Sequence, residues 1–205
     1  MTYEITTTVR KALGAAPEGM CVGISDYAAQ EIRLIACIAK IERMINSFFD
    51  AEVYNPFLIN PNTNEKYPNP DGDTHVLAAC GMYPELQQIP KWDLVKESKK
   101  DLGGWDRRSR GKVANFTLIY GGSANRISTA LQIDIKEAEH LLNNYFELFP
   151  ELKTYVQNTS ELAKYQKWVQ CPITNRRYWV AEDTAKGFGD VNSSARKACN
   201  CLVQG

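Results

Sequence analysis

"RRSRGKVANFTLIYGG", residues 107–122, packs four cations into its first six residues and then turns abruptly apolar. Read as a helix, it brings Arg108, Lys112, Phe116 and Tyr120 round every four residues. Each lies about 40° from the last, and the four form one slowly winding stripe. Cations at one end of such a stripe can hold a triphosphate, and a ring two turns further along can lie against a base or sugar at the distance a nucleotide spans. A solvated basic turn followed by a buried apolar turn fits the same spacing equally well, so other residues must decide.

Composition narrows the field. The 205 residues are 44% hydrophobic, enough for one sizeable core or for two small subdomains sharing an interface. Lys plus Arg and Asp plus Glu both number 24, so a polyanion would meet local clusters and no long-range attraction. The cysteines at 21, 37, 80, 171, 199 and 201 include no CxxC pair. Cys199 and Cys201 could share a metal with His75 or His140 only at a spacing that structural zinc sites do not favour. With no signal peptide and no apolar run of about 18 residues, the expectation is a cytoplasmic protein with reduced thiols and no membrane contact.

Along the chain, "CVGIS" (21–25) is too short for a helix and ends at Asp26, which predicts a buried strand with a carboxylate at its carboxyl end. The following "YAAQEIRLIACIAKIERMINSFF" (27–49) sets Ile32, Ile35, Ala36, Ala39 and Met44 at helical spacing and predicts one amphipathic helix. Residues 54–72 carry four prolines and five asparagines and predict a long surface loop. Helices are expected again from Thr74, then over 105–120, 123–132, 134–148 and 150–167, with Asp134 and Glu137 as a cap pair. "WVQCPITNRRYWV" (168–180) predicts a hairpin around Pro172 and Asn175, and "NSSARKACNCLVQG" (192–205) predicts a last helix. The sum is a mostly helical α/β fold. The last helix meets Gly205 without C-terminal turn signals, which suggests a split or truncated polypeptide.

Four separated motifs, in this order, resemble the family A DNA polymerases, a group that includes bacterial DNA polymerase I and many phage replicases. "SDYAAQEIRLIA" (25–36) is similar to the palm motif, in which an Asp is followed five residues later by a Glu, here Asp26 and Glu31. "DTHVLAA" (73–79) resembles the segment with a phosphate-contacting His, here His75. The opening stretch matches the fingers-helix pattern R-x3-K-x3-F-x3-YG through Arg108, Lys112, Phe116, Tyr120 and Gly121. "RKACNCLVQG" (196–205) resembles the helix whose Arg, Asn and Gln touch template and primer, here Arg196, Asn200 and Gln204.

The resemblance implies two-metal nucleotidyl transfer on primer-template DNA with deoxynucleoside triphosphates. Two magnesium ions would take hard oxygen ligands from Asp26 and the Tyr27 carbonyl. Asp26, Arg108 and Lys112 would be catalytic. Glu31, His75, Arg108, Lys112, Phe116 and Tyr120 would bind the nucleotide, and Gly121, Arg196, Asn200 and Gln204 would contact DNA. Glu31 would sit beneath the sugar and leave no room for a 2′-hydroxyl. Glu31 with Phe116 separates this reading from the single-subunit RNA polymerases, and activity separates it from a non-catalytic DNA-binding fragment. The chain departs from the pattern at Ala28 and Ala29, where family members usually carry Ser-Gln, so polar contacts near the primer are in question. The expected division is a palm segment at 1–50, a fingers subdomain at 51–167 containing the helix 105–120, and a hairpin and helix at 168–205 returning to the palm. The thumb and the second metal-binding Asp would come from other polymerase fragments or subunits, in the host cytoplasm if the source is a phage.

Overall fold

Residues 27–49 keep helical spacing throughout, yet the structure forms two helices over residues 30–49. The structure is a computed structural model that describes residues 29–100, 102, 104–180 and 191–204, with the side chains of 197–203 in the last helix. The expected strand 21–25, with Asp26 and Tyr27 after it, lies outside the described residues. Helix α1 (Gln30–Ile38) ends where the Ile41 N–H bonds the Ala36 carbonyl at 2.8 Å and the Lys40 N–H bonds that of Cys37 at 3.3 Å. This is a helix-stop turn with Lys40 in the left-handed region at φ 55°. A lysine there costs about 1–2 kcal/mol against a glycine, but the turn buries Ile41 completely. Burial of such a side chain is worth about 1.5–3 kcal/mol and offsets that cost. Helix α2 (Glu42–Phe49) then redirects Met44 and Phe48 into the core that Ile32, Ile35 and Ala36 already occupy.

The stretch expected as a loop holds a short antiparallel hairpin, β1 (Phe57–Ile59) with β2 (Lys66–Pro68), in the register Phe57 to Pro68. Both faces are largely exposed, so no burial pattern marked it in the sequence. The buried Asn69 donates its amide to the Asn55 carbonyl at 3.0 Å and ties the two ends of the insertion together.

Helices α3 (Thr74–Met82), α4 (Lys91–Ser98), α5 (Arg107–Ile119), α6 (Ala124–Leu131), α7 (Ile135–Leu148) and α8 (Pro150–Gln166) follow. All but α4 answer to expected segments. Asp134 caps α7 by accepting from the Lys136 N–H at 2.8 Å. Glu137 does not complete a capping box; it reaches Arg110 across the groove to α5, because a buried guanidinium is the stronger partner. Strands β3 (Trp168–Gln170) and β4 (Arg177–Trp179) form the expected hairpin, turned through Asn175 at φ 57°, and α9 (Val191–Gln204) is the expected last helix.

One core gathers Ile32 and Ile35 of α1, Met44 and Phe48 of α2, Met82 of α3, Leu118 of α5, Tyr145 of α7, Leu152 of α8 and Val203 of α9. A second cluster seats Val169 and Val180 of the hairpin against Ala163 of α8 and Leu202 of α9. The tightest joint lies between α3 and α5. A Cβ on Gly111 would stand 2.5 Å from the His75 carbonyl oxygen and 2.8 Å from the Ala79 nitrogen, so only a glycine lets the two backbones meet.

Gly111→Ala should therefore destabilise the chain by about 1–3 kcal/mol through overpacking, although alanine favours an isolated helix by about 1 kcal/mol. Urea denaturation checks this; an unchanged or raised midpoint would mean that the helices do not approach so closely.

Candidate functional site

Helix α5 has well-made ends. Asp106 caps its start, accepting from the Ser109 N–H at 2.8 Å and the Ser109 hydroxyl at 2.7 Å. Its end explains the Tyr-Gly-Gly run. The Gly122 N–H bonds the Thr117 carbonyl at 2.7 Å, the Gly121 N–H bonds that of Leu118 at 2.9 Å, and Gly121 takes φ 65°. Tyr120 thus stands at the last turn, and Gly121 serves the backbone geometry that places it.

The four cations of the opening stretch divide into two pairs. Arg107 lies over the Tyr83 ring at 5.4 Å and pairs with Glu85 at 3.3 Å. Arg110 is buried and bonds the Tyr83 hydroxyl at 3.1 Å, Glu137 at 3.0 Å and the Leu102 carbonyl at 3.3 Å, so it joins α5 to its surroundings. Arg108 and Lys112 remain for the stripe. Arg108 donates through Nε to Asp73 at 2.7 Å, which leaves the Nη groups to fork onto other oxygens. Lys112 is exposed and forms no ion pair among the described residues.

Asp73 does two jobs. Its Oδ1 caps α3 by accepting from the N–H groups of His75 at 3.0 Å and Val76 at 3.2 Å, while its Oδ2 holds Arg108. This brings His75 onto the α5 stripe. Its ring centroid is 6.1 Å from that of Phe116, and the Phe116 ring stacks at 6.5 Å and 30° on Tyr120. Burial lowers the His75 pKa below its ordinary value; Asp73 opposes this, and the positive charges of Arg108 and Lys112 reinforce it. His75 is therefore neutral at pH 7 and can offer one N–H as a donor. The structure thus assembles Arg108, Lys112, His75, Phe116 and Tyr120 from two helices on one face.

Glu31 sits half-buried in the first turn of α1, and Asn200 half-buried on α9. Helices α1, α5 and α9, which carry these residues, pack against one another. The Asn200 side-chain oxygen is buried with no hydrogen-bond partner among the described residues. Arg196 and Gln204 lie on α9, but their side chains, like the whole of Asp26 and Tyr27, fall outside the described residues. Among the described residues no three of His, Cys, Asp and Glu are grouped to hold a metal ion.

Sequence reasoning missed Asp73, Asn115 and Tyr145. Asp73 stands two residues before His75 and could have been found as an N-cap. The Asn115 amide lies 3.3 Å from His75 Nδ1, and the Tyr145 hydroxyl donates to Asn115 at 2.7 Å. Nothing in local spacing signals a partnership across such separations.

Helix α5, capped, with cations at its start and rings at its end, packs against helices from both flanking segments. The POL domain of Pol1 from M. smegmatis, solved in complex with DNA primer-template and dNTP, superimposes with a TM-score of 0.62 over 88% of this chain and 26% of that one, at 21% identity. The chain belongs to DNA polymerase family A, which it matches over residues 1–205. It is 29% identical over 201 residues to the thermostable DNA polymerase I of Thermus filiformis, covering 96% of this chain and 19% of that protein. It is 26% identical over 204 residues to DNA polymerase I of Caldicellulosiruptor bescii, covering 99% and 20%. The chain therefore spans about a fifth of the length of these relatives.

The charges around His75 can be tested by titration. With 13C-labelled histidine, the His75 resonance should titrate below 6.5, the ordinary value. Lys112→Met should raise that pKa by removing a positive charge, and Asp73→Asn should lower it further by removing a negative one. A His75 pKa indifferent to Lys112→Met would separate the two side chains.

Proposed function

We propose that this chain forms the fingers and part of the palm of a DNA-directed DNA polymerase, binding the incoming deoxynucleoside triphosphate against primer-template DNA. The convergence of Arg108, Lys112, His75 and Phe116 on one face carries this reading. Two fixed positive charges and one neutral donor suit the β- and γ-phosphates, since a polyphosphate presents several acceptor oxygens within reach of adjacent helical turns. The Phe116 and Tyr120 rings lie one and two turns beyond Lys112, at the position of the sugar and base. Asn200, with its buried, unpartnered oxygen, fits a donor on a base of the new pair.

In the reaction the primer 3′-hydroxyl gives its proton to water, its oxygen forms a bond to the α-phosphorus while the bond from that phosphorus to the bridging oxygen of the β-phosphate breaks, and pyrophosphate leaves. Arg108 and Lys112 neutralise charge that develops on the departing pyrophosphate. His75 donates to one of its oxygens. Glu31, at the start of α1, fills the space beneath the sugar and excludes a 2′-hydroxyl. Family A polymerases generally use magnesium. When bound, it lowers the pKa of the 3′-hydroxyl and stabilises charge on the α-phosphate. Asp26 is the ligand we assign to it, with the Tyr27 carbonyl beside it. We assign the remaining palm, the thumb and a second metal-binding Asp to other segments of the polymerase.

In the complete polymerase, Lys112→Ala should lower kcat/KM for dNTP by roughly 10–100-fold, the worth of one charge-assisted hydrogen bond at about 1.5–3 kcal/mol. Glu31→Ala should raise ribonucleotide use relative to deoxynucleotide by on the order of 100-fold. Primer extension with each substrate measures both. Unchanged nucleotide kinetics in the Lys112 variant would return α5 to a purely structural role, and an unmoved ribo-to-deoxy ratio would remove the gate from Glu31.

A further inference from the structure

Asn115 is almost wholly buried in the middle of α5, one residue before Phe116. A buried amide in a helix interior is costly unless its oxygen and nitrogen both find partners. Here each partner dictates a direction. The Tyr145 hydroxyl lies 2.7 Å from Asn115 Oδ1, and the Thr74 carbonyl 3.1 Å from Nδ2. Burial pushes the Tyr145 phenol above its ordinary range, so it keeps its proton and donates it. The Thr74 carbonyl can only accept. Both neighbours therefore require the amide oxygen toward α7 and the amide nitrogen toward α3.

The second hydrogen of that nitrogen faces His75 Nδ1 at 3.3 Å. A nitrogen that meets a donor must present its lone pair, so the imidazole proton belongs on Nε2, at the opposite edge of the ring from the buried amide. We propose that Asn115, oriented by Tyr145, is a positioning residue that holds His75 as its Nε2–H tautomer, with that N–H available to an anionic acceptor. The tautomer assignment stands on the geometry alone; naming the acceptor as a phosphate oxygen rests on the proposed function. A free imidazole populates both tautomers, whereas a held one offers its donor before the ligand arrives and loses no time-averaged occupancy to the wrong form.

The chain has two histidines, so its spectrum is simple. In the 205-residue protein labelled with 15N-histidine, His75 should show a non-protonated Nδ1 and a protonated Nε2 above its titration range, with His140 as an internal control. Asn115→Ala should draw the two His75 nitrogen shifts toward averaged values, and Tyr145→Phe should do so to a smaller degree, because Thr74 still orients the amide. A wild-type His75 protonated at Nδ1 overturns the proposal, as does a folded Asn115→Ala protein whose His75 shifts are unmoved. If Asn115→Ala does not fold by circular dichroism, the Tyr145→Phe protein is read the same way. In the complete polymerase, Asn115→Ala should raise the dNTP KM several-fold and add little to His75→Ala. A held tautomer with an unchanged dNTP KM would leave the lock standing and remove the phosphate from His75.

Discussion

Gly111 has no side chain, and at that position α5 lies against the backbone of α3. The distance between these two helices governs which side chains can share a face. It is short enough for Asp73, the cap of α3, to reach Arg108 on α5, and for the His75 ring to lie beside Phe116. It also lets Asn115 bond the Thr74 carbonyl. A wider joint would leave each helix properly capped and buried but would separate the charged and aromatic halves of the face.

Around that joint a few charges serve several ends. Asp73 satisfies two orphan N–H groups at a helix start and orients a guanidinium with its other oxygen. Arg107 and Arg110, which the stripe does not use, fix the outer side of α5 to Tyr83, Glu85 and Glu137. The start of the helix is thus anchored by these two cations, while Lys112 stays exposed. Its far end is set by Gly121 and Gly122, so the Phe116 and Tyr120 rings finish on a stop that backbone hydrogen bonds determine.

Much of this architecture was legible in the sequence because the signals are local. The four-residue stripe, the Asp134 cap, the hairpin around Asn175 and the last helix all rest on neighbours within one or two turns. The break at Lys40 was not legible, because a lysine in the left-handed region carries no glycine-like mark and depends on the burial of Ile41. The β1–β2 hairpin was hidden by exposure on both faces. Nothing local set Arg110 apart from the other three cations, since its burial depends on Tyr83 and Glu137, each 27 residues away. Asn115 carried no mark for a similar reason, its partners Thr74 and Tyr145 being 41 and 30 residues away.

The hydrogen bond between Asn115 and Tyr145 has a further consequence on the scale of descent. Losing either partner alone strands a buried polar atom at a cost of about 1–3 kcal/mol, and exchanging both for apolar groups spares that cost but takes the amide away from the Thr74 carbonyl and His75. Each single step therefore costs packing that the double step spares, while the double step still gives up the hold on His75. Two positions 30 residues apart are bound to change together or not at all, and a lineage that crosses to an apolar pair must pass through a weakened ancestor.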